Sequence, residues 1–195
     1  MTLMWAYRRL LFLSFFFLIS LSPSVNGGDS CDSDLFGRWI VYFDKECAKR
    51  ISQSARIKEE KNLLIDEKIE SFRVDTSIAL VMIFAERGET FVADKVPTKV
   101  YFANSAKTKG NYGLLTVFAG GKAIASGIPM ERSSYYLTRT SERSEIFSAL
   151  KNGTSLEISV EFKPNGAKGF YIKTTIDSAN FNKAYKTLLE KTSTP

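Results

Sequence analysis

The chain contains no histidine. That removes Ser-His-Asp and Cys-His nucleophile systems, histidine-ligated zinc and the commonest general base at neutral pH. Cysteine is almost as scarce, with only Cys31 and Cys47. They form no CxxC redox motif, and two thiols alone do not complete a zinc site. An even, minimal pair reads best as one structural disulfide, which presupposes an oxidising compartment. The bond Cys31–Cys47 closes a loop of about 17 residues, worth roughly 3 kcal/mol in the chain-entropy account. It should pin the approach to the first strand against the far side of a turn at Asp44-Lys45-Glu46. Long apolar runs are missing beyond the N-terminus. The longest, residues 78–85 (IALVMIFA), falls well short of the roughly 20 residues that span a bilayer and suits a buried strand.

The N-terminus is different. Arg8 and Arg9 precede an apolar run ending at Leu21, followed by Pro23 and the small, polar SVNGG. A basic start, an apolar core and a small-residue exit describe a secretory signal peptide. Val25 and Gly27 place cleavage near Gly27 or Gly28. Gly28-Asp29-Ser30 before Cys31 lacks the leucine and small residues of a lipobox. The organisation expected is a signal peptide over 1–27 and a single exported β-rich domain over 28–195. Lys and Arg number 27 against 21 Asp and Glu; without Arg8 and Arg9 the balance is 25 against 21, or +4. This mild excess suits weak contact with anionic membrane or glycan. It does not suit nucleic acid, for which a basic stripe and a recognisable motif are expected.

Along the domain the pattern is mainly β. Trp39–Phe43 is apolar on both faces, as in a strand inside a sandwich, with Cys47–Ser52 returning beside it. Residues 55–73 (ARIKEEKNLLIDEKIESFR) permit either a short amphipathic helix, through Leu64, Ile65, Lys68, Ile69 and Phe72, or a long charged loop. Strands follow at 77–84, 91–93, 99–103 and 133–139, with a glycine turn at Glu86–Glu89 and a polar loop over 105–113. Gly120-Gly121 between LLTVF and KAIAS marks a two-residue hairpin. Ser141 offers the N-cap of a helix ending at Gly153, with Ile146, Phe147 and Leu150 on its apolar face. In 154–162, Leu156, Ile158, Val160 and Phe162 should point inward, and Glu157, Ser159 and Glu161 outward; a turn leads to a strand at 170–176. Asp177 or Ser178 should cap a C-terminal helix whose Phe181, Ala184, Tyr185 and Leu188 share one face. The class expected is an antiparallel β-sandwich of about 8–10 strands with two or three short helices.

Local matches to known chemistry are weak. Ser148-Ala149-Leu150-Lys151 has the S-x-x-K spacing without its companion elements. Residues 119–123 (AGGKA) lack the glycine at position 116 and the Ser or Thr after Lys122 that a phosphate loop needs. Asn152-Gly153-Thr154 is a formal glycosylation sequon, relevant only in a eukaryotic secretory pathway, and Asn-Gly at a helix end is better explained by capping geometry. Glu59, Glu60, Asp66 and Glu67 lie in one charged stretch and read as a solvated face. Tyr112, Tyr135, Tyr136 and Tyr171, with basic neighbours, are open to two readings: a sugar- or lipid-contacting surface, or cross-strand packing. No catalytic, metal or cofactor-binding residue is assigned.

Several stretches, taken together in chain order, are similar to a known family. These are Gly37-Arg38-Trp39-Ile40-Val41-Tyr42, Cys47 to Ser52, Ala149-Leu150-Lys151-Asn152-Gly153, and Ile176 to Leu188. In this order the chain resembles the invasion-associated locus B family of exported bacterial proteins. Dense matches occur at its two ends. It departs from the family in lacking a further cysteine pair and in the charge of 55–73. The resemblance implies a β-rich, non-enzymatic protein of the periplasm or cell surface that binds host or envelope components. The other readings are a periplasmic small-ligand carrier or enzyme inhibitor with an apolar pocket, and a hydrolase built without histidine.

Overall fold

Strand alternation and hairpin turns organise the domain. The computed structural model describes residues 31–44, 46–65, 67–93, 95–104, 111–128, 134–164 and 168–192. Its strands are β1 (Ser33–Phe36), β2 (Trp39–Tyr42), β3 (Lys49–Ile65), β4 (Lys68–Ala85), β5 (Lys99–Asn104), β6 (Asn111–Ala119), β7 (Lys122–Gly127), β8 (Tyr135–Leu137), β9 (Leu156–Lys163) and β10 (Phe170–Ile176). The helices are α1 (Thr140–Lys151) and α2 (Phe181–Thr192). One six-stranded sheet runs β1-β2-β3-β4-β5-β8 and one four-stranded sheet runs β10-β9-β6-β7. The pairings are antiparallel. The expected mainly β, sandwich-like class is the one found.

The core follows the alternation. Leu156, Ile158, Val160 and Phe162 of β9 are fully buried. Ser159, expected outward, is buried as well, because β9 lies between β10 and β6. Helix α2 buries Phe181, Ala184, Tyr185 and Leu188, the spacing of one helical face. Phe181 meets Trp39 edge-on at 5.0 Å between ring centroids and Phe147 of α1 at 6.1 Å. Phe84 packs on Phe147 and on Tyr185, each at 5.5 Å. This aromatic cluster joins both helices to the six-stranded sheet.

The cysteines lie where hairpin geometry brings them. β1 doubles back on β2, pairing Ser33 with Tyr42, and the Phe43 amide reaches the Asp32 carbonyl. The turn after Asp44 is closed by the Cys47 amide donating to the Asp44 carbonyl at 3.2 Å. Cys31 and Cys47 are disulfide-bonded, 6.1 Å apart at Cα. Beside them the buried Lys49 ammonium donates to the carbonyls of Asp44 and Cys47. Strand β1 itself was not expected; four residues before the Gly37-Arg38 turn carry little pattern.

Four local expectations are corrected. Residues 91–93 form no strand, and the strand expected over 133–139 is confined to Tyr135–Leu137 among the described residues. Ser141 lies inside α1, whose N-cap is Arg139 without a side-chain cap; instead Arg143 reaches back to the carbonyls of Pro97, Leu137 and Thr138. Neither Asp177 nor Ser178 caps α2. Asp177 Oδ1 accepts the Ala179 amide, and the helix begins after Asn180, which has φ 63°.

The largest correction concerns 55–73, which is neither helix nor loop. β3 and β4 form one hairpin, paired without interruption from Arg50 and Ile83 to Ile65 and Lys68. Among the described residues β2 flanks β3 only through Gln53, and β5 flanks β4 only from Ile78 onward. Burial continues to Ile57 and Val74 and then stops. Eight residue pairs, Lys58–Asp75 to Ile65–Lys68, carry on as a two-stranded arm, roughly 25 Å at about 3.3 Å per residue. Near its tip Leu64 and Ile69, paired with each other, are 74% and 76% exposed. Residues 1–30, including the signal-peptide segment, and most of the 105–113 loop lie outside the described residues.

Candidate functional site

Residues on β3 with odd numbers face the core, so the even-numbered ones, with their cross-strand partners, build the outer face of the six-stranded sheet. Two neighbouring rows cross it. The first runs Tyr42, Arg50, Ile83, Lys99; the second runs Ile40, Ser52, Val81, Tyr101, Tyr136. The Arg50 guanidinium lies over the Tyr42 ring, 4.1 Å from its centroid, a cation–π contact worth about 0.5–2 kcal/mol depending on desolvation. Tyr101 and Tyr136 stack at 5.3 Å with planes 29° apart. Val81 and Ile83 are buried in this face beneath the longer side chains.

The electrostatics tie the rows together. Burial pushes the Tyr101 phenol above its ordinary range, with Arg50 pulling the other way, and Tyr136 and Glu86 adding to the rise. Lys99 pairs with Glu86 at 2.7 Å, a hydrogen bond that raises the lysine's pKa. Arg50 therefore lies over Tyr42, with its charge also felt by Tyr101. At the Tyr136 end the face runs into an open hollow of about 330 Å³, bounded by Ser126, Gly127, Ile128, Thr138, Arg139 and Glu142. A second hollow of about 380 Å³ lies at the base of the arm among Lys58, Glu59, Glu60, Arg73, Val74 and Asp75. Both are open and bordered by charge. The space between the sheets is filled by Trp39, Tyr135, Phe102, Phe162 and Phe181, all fully buried.

The tyrosines singled out in the sequence divide. Tyr112 and Tyr135 belong to the core, whereas Tyr136 and Tyr171 are 45% and 55% exposed. Tyr136 lies in the aromatic rows, and Tyr171 is on β10 of the other sheet. Strand alternation in Tyr135-Tyr136-Leu137 sends one ring in and the next out. Tyr42, Arg50 and Tyr101 were missed because they come together only through pairing across five strands, a register that no single stretch of sequence carries. The Tyr135 hydroxyl is buried with no hydrogen-bond partner among the described residues, and burial raises its pKa strongly.

The other sequence candidates do not converge. Ser148 is exposed on α1, and Lys151 lies over the rings of Phe147 and Tyr185, 5.3 Å from each. Gly120 and Gly121 form the β6–β7 turn with φ of 55° and 79°. Asn152 is the C-cap of α1. Glu59 pairs with Lys61, and Glu60 with Arg73 and Ser71; successive positions on one strand put these two carboxylates on opposite faces of the arm. Among the described residues no three acidic or cysteine side chains gather as a metal site, and no helix is long and apolar enough to cross a membrane. The disulfide places the folded domain in an oxidising, exported setting. Comparison with protein-family models, curated proteins and solved structures finds no match.

Proposed function

We propose that the chain is an exported, non-catalytic bacterial binding protein, similar to the invasion-associated locus B family. In this reading the outer face of the six-stranded sheet holds an anionic glycan of the envelope or of a host cell surface. The signal-peptide pattern and the disulfide support export. The observation that carries the binding reading is the juxtaposition of Tyr42, Arg50, Tyr101 and Tyr136 on a sheet face that neither helix covers. Aromatic rings offer apolar area to sugar faces, and a guanidinium on the same face offers a bidentate partner to a carboxylate or sulfate. The filled sheet–sheet interface supports a surface binder over a carrier.

The test is titration with heparin oligosaccharide, with dextran as the uncharged control. Binding to heparin alone is expected, with Tyr136→Ala and Arg50→Gln each weakening it about tenfold or more. Binding should fade as salt shortens the screening length from about 10 Å at 0.1 M to about 3 Å at 1 M. Equal binding of dextran, or affinity unchanged in both variants, would overturn the glycan assignment.

A further inference from the structure

The arm carries an unfinished sheet. A two-stranded hairpin alone is marginal in water, and exposed edges invite further strands. Apart from β4, no described strand is hydrogen-bonded to β3 from Ser54 to Ile65. We infer that this edge is the contact between two copies of the chain. It pairs antiparallel with itself about a two-fold axis at Glu60, normal to the sheet.

Register selects that axis. With Glu60 opposite Glu60, Glu59 of each copy faces Lys61 of the other, Ile57 faces Leu63, and Ala55 faces Ile65. Each pair occurs twice, and all lie on the core-side face. On the outer face Lys58 meets Asn62, and Glu60 meets its own copy while held within each arm by Arg73 and Ser71. Moving the axis by one residue, to 59 or 61, breaks the match. It puts Glu59 or Lys61 against itself, and faces Ile57 with Lys61 or Glu59 with Leu63. An odd slip would turn each strand over. The free edge of β4 is less complementary: aligning Phe72 with Val74 puts Arg73 against Arg73. The charges that would repel indiscriminate strands thus match in one register.

Wider charge agrees. Over 58–75 the arm has four basic residues against six acidic, whereas the rest of 31–195 has twenty-one against fourteen. In the paired state the turn at Glu67 comes to the end of the other copy's β2, where Arg38 is exposed. An axis normal to the sheet also leaves both Tyr-Arg faces on the same side of one continued sheet. A ligand long enough to reach both would gain avidity from linkage alone. The dimer does not depend on what those faces bind.

Sedimentation velocity and crosslinking on the oxidised, exported protein test this. A reversible dimer is expected. Glu59→Lys and Lys61→Glu should each weaken it about tenfold or more, and the double swap should restore it, with melting temperature unchanged because both sites lie beyond the core. Glu60→Cys should crosslink two copies under mild oxidation, since facing Cα atoms lie about 4.5–5.5 Å apart; Asn62→Cys, remote from its own copy, should not. A monomer at sub-millimolar concentration would overturn the inference. So would a dimer indifferent to the single swaps, or equal crosslinking at 60 and 62. Heparin titration of the Glu59→Lys variant reports on the sheet face independently.

Discussion

Phe181→Ala tests how the C-terminal helix is held. The ring is fully buried, edge-on to Trp39 at 5.0 Å and to Phe147 at 6.1 Å, and stacked with Tyr185 at 6.4 Å. It thus touches the sheet, the other helix and its own helix. Truncating a buried phenylalanine removes its transfer free energy and leaves a cavity, together about 3–5 kcal/mol. The upper half applies here, because Trp39 and Phe147 are anchored on separate elements and cannot both collapse into the space. For a domain of this size about 2–4 °C of melting temperature is lost per kcal/mol, so about 4–5 kcal/mol should lower the midpoint by roughly 8–20 °C. Thermal unfolding followed by circular dichroism with the disulfide intact measures it. Lys183→Ala, on the exposed side of α2, is the control and should stay within about 0.5 kcal/mol. A Phe181→Ala midpoint within a degree of the parent would refute the packing argument.

Reducing Cys31–Cys47 should lower unfolding stability by about 3 kcal/mol; urea midpoints with and without reductant measure this, and equal midpoints would show that the loop is held by β1–β2 pairing alone. Tyr135→Phe removes a buried hydroxyl with no partner among the described residues, so the melting temperature should hold or rise; a loss above about 1 kcal/mol would mean that the hydroxyl is satisfied. Tyr101 and Tyr135 both have raised pKa values, so the folded state keeps protons that the unfolded chain releases. Stability should be level below pH about 10, the unfolded tyrosine value, and fall above it; Tyr135→Phe should flatten part of that fall, and an unchanged alkaline slope would argue against the burial account. Gly121→Val forces a branched residue to φ 79° and should cost about 1–2 kcal/mol, read as a shift in urea midpoint.

Where a pattern is local, the sequence predicts this structure well. The β9 alternation, the Gly120-Gly121 turn and the α2 face each depend on residues a few positions apart, and all three form as read apart from the buried Ser159. The disulfide was legible for a different reason: two cysteines allow only one pairing within the chain. What could not be read was context. Residues 91–93 have strand composition but no strand neighbour, and Ser141 has the chemistry of a cap while the backbone turns helical at Thr140 instead. The Tyr-Arg face is less legible still, since its members come from β2, β3, β5 and β8 and meet only after those strands align.

The arm shows why charge density misled. Glu, Lys and Leu between 58 and 70 are strong helix formers, and a two-residue hairpin is normally announced by Asn-Gly or Asp-Gly. Here Glu67 takes the left-handed position, with φ 64°, so the turn carries no glycine. The strand character comes from the partner: residues 74–85 are rich in β-branched side chains and mostly buried on the sheet, and β3 is drawn out along β4 in register from the core to the tip. Propensity yields to pairing once the buried half is committed. Beyond Ile57 and Val74 the core no longer contributes, and only cross-strand contacts such as Arg73–Glu60 and Leu64–Ile69 remain to hold the arm extended. Exposed contacts of that kind are each worth under about 1 kcal/mol. A segment that favours a helix locally, yet stands as a strand without a layer over it, gains most from a third strand on its open edge, and the Glu59–Lys61 pattern on that edge accepts its own copy in one register.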